Sequence, residues 1–259
     1  MRQKLWRRRR EQRRSLLLGE FMFGIIGGSG IYRISEGEPM HVETPYGWVK
    51  VCFGKMGGKQ VAFMPRHGEE HIVPPHAINH RANIYAMKEV GVNKLVGVNA
   101  CGIISKFKPG EIITVEDFIA FHMGPVTFYD TFKHGVMHTD MSEPYSKQLN
   151  SELIKAGRKA RVKIKRGGII ASSYGPRFET PAEIRAFGKM GANLINMTSA
   201  PEAILARELD MDYASIAIGT NYAAGLTKKH LSHEEVVGAM RRNEKKVFKV
   251  LGALPGSIK

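Results

Sequence analysis

The feature of this sequence that most constrains its fold is the alternation of short apolar runs with longer segments of helical periodicity. Seven short runs, bounded by Gly, Pro or charged residues, have the length and the Val/Ile content of buried strands: residues 23–26, 49–53, 61–64, 95–98, 169–172, 194–197 and 216–218. Five segments have helical periodicity: residues 75–90, 146–160, 181–190, 201–209 and 232–251. Strands that alternate with helices predict an α/β sheet with helices on both faces.

Local signals support several of these boundaries. Pro75, Pro181 and Pro201 stand at or near the first turns of three predicted helices, where proline is favoured, and Ser232 has the side chain of an N-cap. Residues 105–145 are less regular and richer in aromatic and polar side chains, so we expect this segment to reach a neighbouring subunit. No internal repeat or Ser/Pro linker divides the chain, and 259 residues suit one domain.

The cysteine content and the hydropathy pattern limit the cellular compartments in which this protein is expected. Cys52 and Cys101 are too few for a disulfide scaffold or a cysteine-based zinc site, and they favour a reducing cytoplasm. No run of about 18 apolar residues is present, so the sequence predicts no membrane-spanning helix. We therefore expect a cytoplasmic protein without a membrane partner.

The positive charge is concentrated at the N-terminus. Residues 1–22 carry eight basic and two acidic groups, which leaves +9 of the net +15 on the rest of the chain. Because Met22 directly precedes FGIIGGSG, we interpret residues 1–22 as a disordered arm or an over-long start and residues 23–259 as the domain. A net +9 favours nucleic acid or a small anionic substrate equally. No basic motif interleaved with aromatic residues supports nucleic acid, so we expect none as a partner.

A glycine-rich turn follows the first predicted strand. Gly27, Gly28, Ser29 and Gly30 allow backbone N–H groups to converge on an anion, with the Ser29 hydroxyl as a further donor. The segment lacks the Gly-Lys-Ser/Thr of a Walker loop and the spacing of dinucleotide-binding folds. By itself the signal is weak, and a tight turn that binds no ligand is the default interpretation.

The histidine-rich segment that begins at His67 has two interpretations. His67-Gly-Glu-Glu-His71 fits the inverted zinc-protease pattern, which requires both histidines on one helix. Pro65, Gly68 and the pair at residues 74–75 oppose such a helix. We therefore expect a polar loop in which Arg66 and His67 bind an anion, and no metal site.

Polar residues follow several predicted strands. They lie in Asn99-Ala-Cys-Gly, in Tyr174-Gly-Pro-Arg-Phe-Glu, in Asn196-Met-Thr and in Thr220-Asn-Tyr. In open α/β sheets, ligand sites gather at the carboxyl ends of strands. These segments form either one composite pocket or a set of unrelated turns.

Taken together, the segments resemble the trimeric purine nucleoside phosphorylase and methylthioadenosine phosphorylase family. GGSGIY, PRHGEEH, PPHAINHRANI, NACG, YGPRFET, NMTSAPEAILARE and TNY occur in that family's order between residues 23 and 251. The resemblance implies a single α/β domain around a mixed, partly barrel-like sheet flanked by helices, the nucleoside phosphorylase fold. It also implies a homo-oligomer, either a trimer or a dimer of trimers.

The activity implied by the resemblance is phosphorolysis of a purine nucleoside to the free base and ribose 1-phosphate, in purine salvage. Inorganic phosphate is the co-substrate, and no cofactor is implied. By similarity, phosphate is held by Ser29, Arg66, His67, the backbone N–H of Ala100 and Thr198. Asn99 matches an asparagine of purine nucleoside phosphorylases, and its contact with phosphate is left open.

The base is expected to contact Phe178 on its face, and Met197 lies against the ribose by similarity. An ionised Glu179 only accepts hydrogen bonds, so it suits the N1–H of hypoxanthine or guanine. Adenosine-type relatives carry Asp-x-Asp where this chain reads Asn221-Tyr222-Ala223. Asn221 can donate to O6 and accept from N7–H, which favours 6-oxopurines and makes it, with Arg66 and His67, an expected catalytic residue. The alternative is that Glu179 caps the following helix and Asn221 merely ends a strand.

The 5′ end of the nucleoside is less sharply defined. His233 matches a histidine that faces the 5′-hydroxyl in purine nucleoside phosphorylases, and His71 lies nearby by similarity. Methylthioadenosine phosphorylases have an apolar residue in place of His233, but His138 resembles a histidine that they lend across a subunit interface to the 5′-substituent. A hydroxyl is favoured because a buried imidazole needs a hydrogen-bond partner. A 5′-methylthio group, and with it a methylthioinosine or methylthioadenosine phosphorylase, is the alternative.

Overall fold

The computed structural model describes residues 23–31, 34, 38–120, 124–133, 135–228 and 230–254. The predicted basic arm, residues 1–22, lies outside the described residues, and that prediction stays open. Within the described part of the chain the fold is a single α/β domain.

Nine strands in the described part of the chain form one mixed sheet. Their bounds are β1 (Phe23–Gly27), β2 (Glu38–Thr44), β3 (Gly47–Met56), β4 (Lys59–Pro65), β5 (Lys94–Ile103), β6 (Ile112–Ile119), β7 (Ile164–Ser172), β8 (Leu194–Asn196) and β9 (Asp212–Tyr222). The spatial order is β2-β3-β4-β1-β5-β8-β7-β6-β9, and β9 also pairs with β5. That last pairing closes β5, β8, β7, β6 and β9 into a ring, which confirms the partly barrel-like sheet.

Strand direction brings many carboxyl ends to one edge. β4, β1, β5 and β9 are mutually parallel neighbours, with Gly27 beside Pro65 and Ile26 beside Gly97. β8 runs antiparallel to β5 and parallel to β7. The segment after β8 therefore turns back towards the middle of β5 and faces the same edge.

Among the described residues, five α-helices cover the sheet: α1 (His80–Glu89), α2 (Lys147–Lys159), α3 (Pro181–Lys189), α4 (Ser199–Glu208) and α5 (His233–Gly252). Ser232 caps α5 by accepting from the Glu235 amide at 3.2 Å, as the sequence predicted. The predicted start at Pro75 is wrong for the α-helix, because Pro75–Ala77 is a separate 3₁₀ turn and Asn79 caps α1.

Apolar side chains bury both faces of the sheet. One core cluster packs α1 and α4 against the sheet through residues such as Met87 and Leu205. A second cluster packs α2 and α5 against β1, β5 and β9 through residues such as Leu153 and Met240. Helices thus lie on both faces, and the strand ends remain accessible at one edge.

All seven predicted strands are present, and two more were missed. β2 has only Val42 and Thr44 buried, so its sequence carries almost no apolar signal. β6 lies inside the segment that was expected to be irregular. It was missed because its first half is buried and its second half is exposed or half-buried. No helix among the described residues is both long enough and apolar enough to cross a membrane.

Candidate active site

A cavity of about 410 Å³ lies at the carboxyl edge of the parallel strands. It is lined by twelve of the residues singled out from the sequence: Ser29, Arg66, His67, His71, Ala100, Phe178, Glu179, Met197, Thr198, Asn221, Ala223 and His233. These side chains come from segments spread over more than 200 positions of the chain. Of the two interpretations left open, the composite pocket is therefore the one that the fold supports.

Three expected residues do not line this cavity. Asn99 is completely buried behind it, Tyr222 is partly exposed at the end of β9, and His138 is exposed beside Phe132. Asn99 and Tyr222 are not among the residues that line this cavity, and their contact with phosphate and with substrate, implied by the family resemblance, stays a prediction. His138 does not reach the site of its own subunit, and its role across an interface stays a prediction.

Arg66 is the buried cation of the cavity, and it is held by a partner that the sequence analysis missed. Its Nε and Nη2 donate to the two oxygens of Glu202 at 2.6 and 2.9 Å, and its Nη1 donates to the Val98 carbonyl at 2.7 Å. Tyr213 donates to the same carboxylate at 2.6 Å. Glu202 lies on α4, 136 positions from Arg66, and no local pattern connects the two.

Gly28 leaves the space that Arg66 occupies. A Cβ at this position would stand 2.5 Å from Nη1 of Arg66 and 2.6 Å from the Val98 carbonyl oxygen. The carbonyl belongs to β5 and cannot move freely, so the guanidinium would be displaced. Arg66 can therefore occupy its position because residue 28 of the glycine-rich turn has no side chain.

We expect Gly28→Ala to weaken phosphate binding, since overpacking of this kind costs about 1–3 kcal/mol, roughly 10- to 100-fold in affinity. The measurement is KM for phosphate at saturating nucleoside. Gly124→Ala is the matched control, because none of the described residues beyond its chain neighbours has an atom within 4 Å of a Cβ placed there. Equal KM values for the two variants would show that Gly28 does not position Arg66.

His67 is a neutral imidazole with a defined tautomer. Burial, followed by the charge of Arg66, lowers its pKa to about 3. Its Nδ1 lies 2.8 Å from the Val73 carbonyl, which only accepts, so Nδ1 carries the proton. Nε2 is then an acceptor and suits the hydroxyl of a monoprotonated phosphate.

The histidine-rich loop is a series of turns and contains no helix. Residues 66–71 are turns, so the two-histidine helix required by the zinc-protease pattern is not formed. His71 has a positive φ of 57°, and its ring lies between those of His67 and His233, at centroid distances of 4.4 and 5.1 Å. Among the described residues, no group of three or more His, Cys, Asp or Glu side chains is placed to hold a metal ion.

Thr198 stands at the N-terminus of α4, where the helix dipole favours an anion. Its Oγ1 bonds to Asn99 Oδ1 at 3.1 Å, and Asn99 Nδ2 bonds to Ser215 Oγ at 2.9 Å. Asn196 Oδ1 accepts from the amides of Thr198 and Ser199 at 2.8 and 2.7 Å. Asn99 therefore orients the threonine from behind, and Asn196 satisfies the first amides of the helix.

Glu179 faces the cavity and does not cap α3. The cap is Thr180, which forms a reciprocal capping box with Glu183, so the alternative interpretation of Glu179 is wrong. Glu179 is buried and accepts a hydrogen bond from the Ser173 hydroxyl. Burial raises the pKa of Glu179, and the bond from Ser173 opposes that shift.

Asn221 is anchored at both ends of its amide. Oδ1 accepts from the Thr220 hydroxyl at 2.6 Å, and Nδ2 donates to the Tyr222 carbonyl at 2.9 Å. An amide has two N–H groups and two lone pairs, so these bonds leave one donor and one acceptor for a ligand. The side chain thus does more than end a strand.

The fold is a single α/β domain with a ring of strands. Its cavity combines a buried arginine, a helix N-terminus and a carboxylate–amide pair. Together these features define a phosphorylase of the nucleoside type. The chain belongs to the phosphorylase superfamily, whose family model matches residues 22–254.

The names of individual relatives indicate which nucleosides are cleaved by proteins similar to this chain. The chain is 43% identical over 241 residues to the 6-oxopurine nucleoside phosphorylase of Pyrococcus furiosus, which covers 89% of this chain and 91% of that protein. It is also 43% identical over 216 residues to the probable S-methyl-5′-thioinosine phosphorylase of Methanopyrus kandleri, covering 82% and 83% of the two chains. The methylthioadenosine phosphorylase of Schistosoma mansoni in complex with adenine superposes with a TM-score of 0.85 at 29% identity, covering 91% of each chain.

Proposed function

We propose that this protein is a purine nucleoside phosphorylase that cleaves 6-oxopurine nucleosides, such as inosine and guanosine, to the free base and ribose 1-phosphate. The observation that carries the proposal is the pairing of Glu179 with Asn221 in the cavity that also holds Arg66. The carboxylate accepts from N1–H, and the amide donates to O6. The names of the two relatives at 43% identity both specify a 6-oxopurine base and differ at the 5′ position.

Phosphate binds at the end of the cavity formed by Ser29, Arg66, His67, Ala100 and Thr198. The Glu202 carboxylate already pairs with one edge of Arg66 through Nε and Nη2, so the guanidinium enters the site as a fixed donor with little net charge. His67 accepts the phosphate hydroxyl through Nε2. Preorganised donors of this kind hold the dianion beside the anomeric carbon without reorganisation during the reaction.

The reaction needs no protein nucleophile. As the glycosidic bond lengthens, positive charge develops on the ribose between the phosphate and the departing purine, and Met197 packs against the sugar. The base gains electron density and takes up a proton from solvent at N7. The free acceptor of Asn221 binds that N–H, and its free donor binds O6, so both contacts strengthen as the bond breaks.

The 5′ end of the nucleoside lies towards His71 and His233. His233 is exposed and His71 is half-buried, and a 5′-hydroxyl can hydrogen-bond with the His233 imidazole, which suits ordinary ribonucleosides. Ile72, Leu231 and Val236 line the same cavity and suit an apolar 5′-methylthio group. Methylthioinosine phosphorolysis is therefore the second candidate, with the same base and the same chemistry.

The proposal includes a homotrimer or a dimer of trimers, with His138 reaching a neighbouring site. Ile72 and Phe178 line the cavity and remain exposed, and Phe132, Val136 and Met137 are exposed near His138, as subunit contacts would require. Phosphate serves as co-substrate without a cofactor. The unpaired Cys52 and Cys101 suit the cytoplasm, where purine salvage takes place.

A phosphate-dependence assay tests the function. We expect hypoxanthine release from inosine only when phosphate is present, with ribose 1-phosphate as the second product, and much slower release of adenine from adenosine. Parallel reactions with methylthioinosine rank the two candidates by kcat/KM. Equal efficiency with inosine and adenosine, or release without phosphate, would contradict the proposal.

A further inference from the structure

Ser173 contacts the carboxylate that selects the base, and neither the sequence motifs nor the reaction chemistry assigns it a role. It lies directly after β7, where its backbone N–H donates to the Asn196 carbonyl at 3.0 Å. Its hydroxyl donates to Oε1 of Glu179, and both side chains are buried. The backbone bond fixes the main chain of Ser173 beside the carboxylate, and it does not depend on the Ser173 side chain.

The hydrogen bond controls which form of Glu179 meets the base. A hydroxyl that donates to Oε1 stabilises the ionised carboxylate and directs any added proton to Oε2. An ionised Oε2 accepts from the N1–H of hypoxanthine or guanine. A protonated Oε2 donates instead, and that is the partner required by N1 of adenine.

We propose that Ser173 is a specificity-determining positioning residue, which holds Glu179 as an acceptor and thereby excludes 6-aminopurines. The proposal rests on the proposed function, because it assumes that Glu179 meets the base edge. Its consequence is a base preference controlled by protonation: inosine is cleaved by the ionised form and adenosine is favoured by the protonated form.

Other charges near Glu179 do not supply this control. Arg177 and Glu183 act on it with opposite signs, but they pair with each other at 2.7 Å near the surface. Burial is the largest influence on Glu179 and raises its pKa, and the Ser173 hydroxyl is the largest opposing one. Without that hydroxyl the carboxyl would keep its proton to a higher pH.

The neighbouring Ser172 offers a matched control. Its side chain is also buried, and its Oγ has no hydrogen-bond partner among the described residues. Ser172→Ala and Ser173→Ala therefore remove the same atom from adjacent positions, and only the second removal affects Glu179. Ser173→Thr keeps the hydroxyl and serves as the rescue variant.

The experiment measures kcat/KM against pH for inosine and for adenosine in the wild type and these three variants. For the wild type, inosine cleavage should fall as the pH drops through the raised pKa of Glu179. In Ser173→Ala the midpoint should move up by about one pH unit, since a hydrogen bond to a charged group has roughly that effect. Adenosine cleavage should rise over the same interval, while Ser172→Ala and Ser173→Thr follow the wild type.

The outcomes separate two failures. If the wild type does not release hypoxanthine from inosine with phosphate, the proposed function is wrong. If it does, and the profiles of Ser173→Ala and Ser172→Ala coincide, Ser173 has no part in base selection although the function stands. A uniform loss with both nucleosides at every pH would assign Ser173 a purely structural role and overturn the inference.

Discussion

Replacing Glu179 with Gln is expected to reverse the base preference. The Gln side chain can still accept from Ser173 through its oxygen, while its amide nitrogen becomes a donor towards the base. With inosine, that donor meets N1–H and leaves two buried donors face to face. With adenosine, it meets the N1 lone pair and gains a hydrogen bond.

Each buried mismatch costs about 1–3 kcal/mol, and sites built on such groups discriminate up to roughly 10⁴- to 10⁵-fold. We therefore expect the ratio of kcat/KM for inosine to that for adenosine to fall by about 10³-fold. Glu143→Gln is the control, because Glu143 is a surface carboxylate that pairs with Lys147 and does not line the active-site cavity. An unchanged ratio in Glu179→Gln would show that this carboxylate does not contact the base.

Adding Asn221→Asp to the Glu179→Gln variant should raise adenosine cleavage less than the Asp-x-Asp pattern of adenosine-type relatives indicates. The new carboxylate still accepts from Thr220, but it loses the donor that Asn221 offers to the Tyr222 carbonyl. An oxygen in that place would repel the carbonyl. In Glu179→Gln, this second substitution is thus expected to lower inosine cleavage further while raising adenosine cleavage only modestly.

The largest expected loss of stability follows from Glu202→Gln. Glu202 and Arg66 are both buried, and removing the charge of one partner leaves the other uncompensated. Breaking a buried ion pair in this way costs about 3–5 kcal/mol, which corresponds to roughly 10 °C in Tm for a chain of this size. KM for phosphate should also rise, because the guanidinium loses its fixed orientation.

Glu143→Gln provides the comparison for an exposed ion pair. Glu143 pairs with Lys147 at 3.0 Å on the surface, where such pairs contribute little. Thermal unfolding of the two variants should differ clearly, with Glu143→Gln close to the wild type. If Glu202→Gln melts with the wild type and keeps its KM for phosphate, the buried pair neither stabilises the fold nor positions Arg66.

The sequence predicted the elements whose signals are local. Seven strands were visible as apolar runs, and the helix starts at Pro181 and Ser232 followed from proline placement and capping chemistry. Twelve of the residues that line the cavity were singled out from the sequence, some as polar residues just beyond strands and the others through the family resemblance. Such signals depend on neighbours within a few positions, so one sequence contains them completely.

Features that depend on partners distant in the chain were not predicted from the sequence. β2 and β6 carry mixed exposure because each is covered only in part by the rest of the sheet. The Arg66–Glu202–Tyr213 network joins β4, α4 and β9, and Gly97 leaves room for it, since a Cβ there would stand 2.2 Å from the Tyr213 hydroxyl. A periodic pattern has no means of pairing residues so far apart.

The sequence by itself determined the strand and helix alternation, the family resemblance and the identity of the groups that we propose meet phosphate and base. Only the tertiary structure decided how those groups are used. It closes β5 onto β9, buries Asn99 behind the cavity and places the Ser173 hydroxyl against Glu179. Residue type fixes which hydrogen bonds a side chain can form, whereas burial and direction fix which of them it forms, and both arise from contacts between segments distant in the chain.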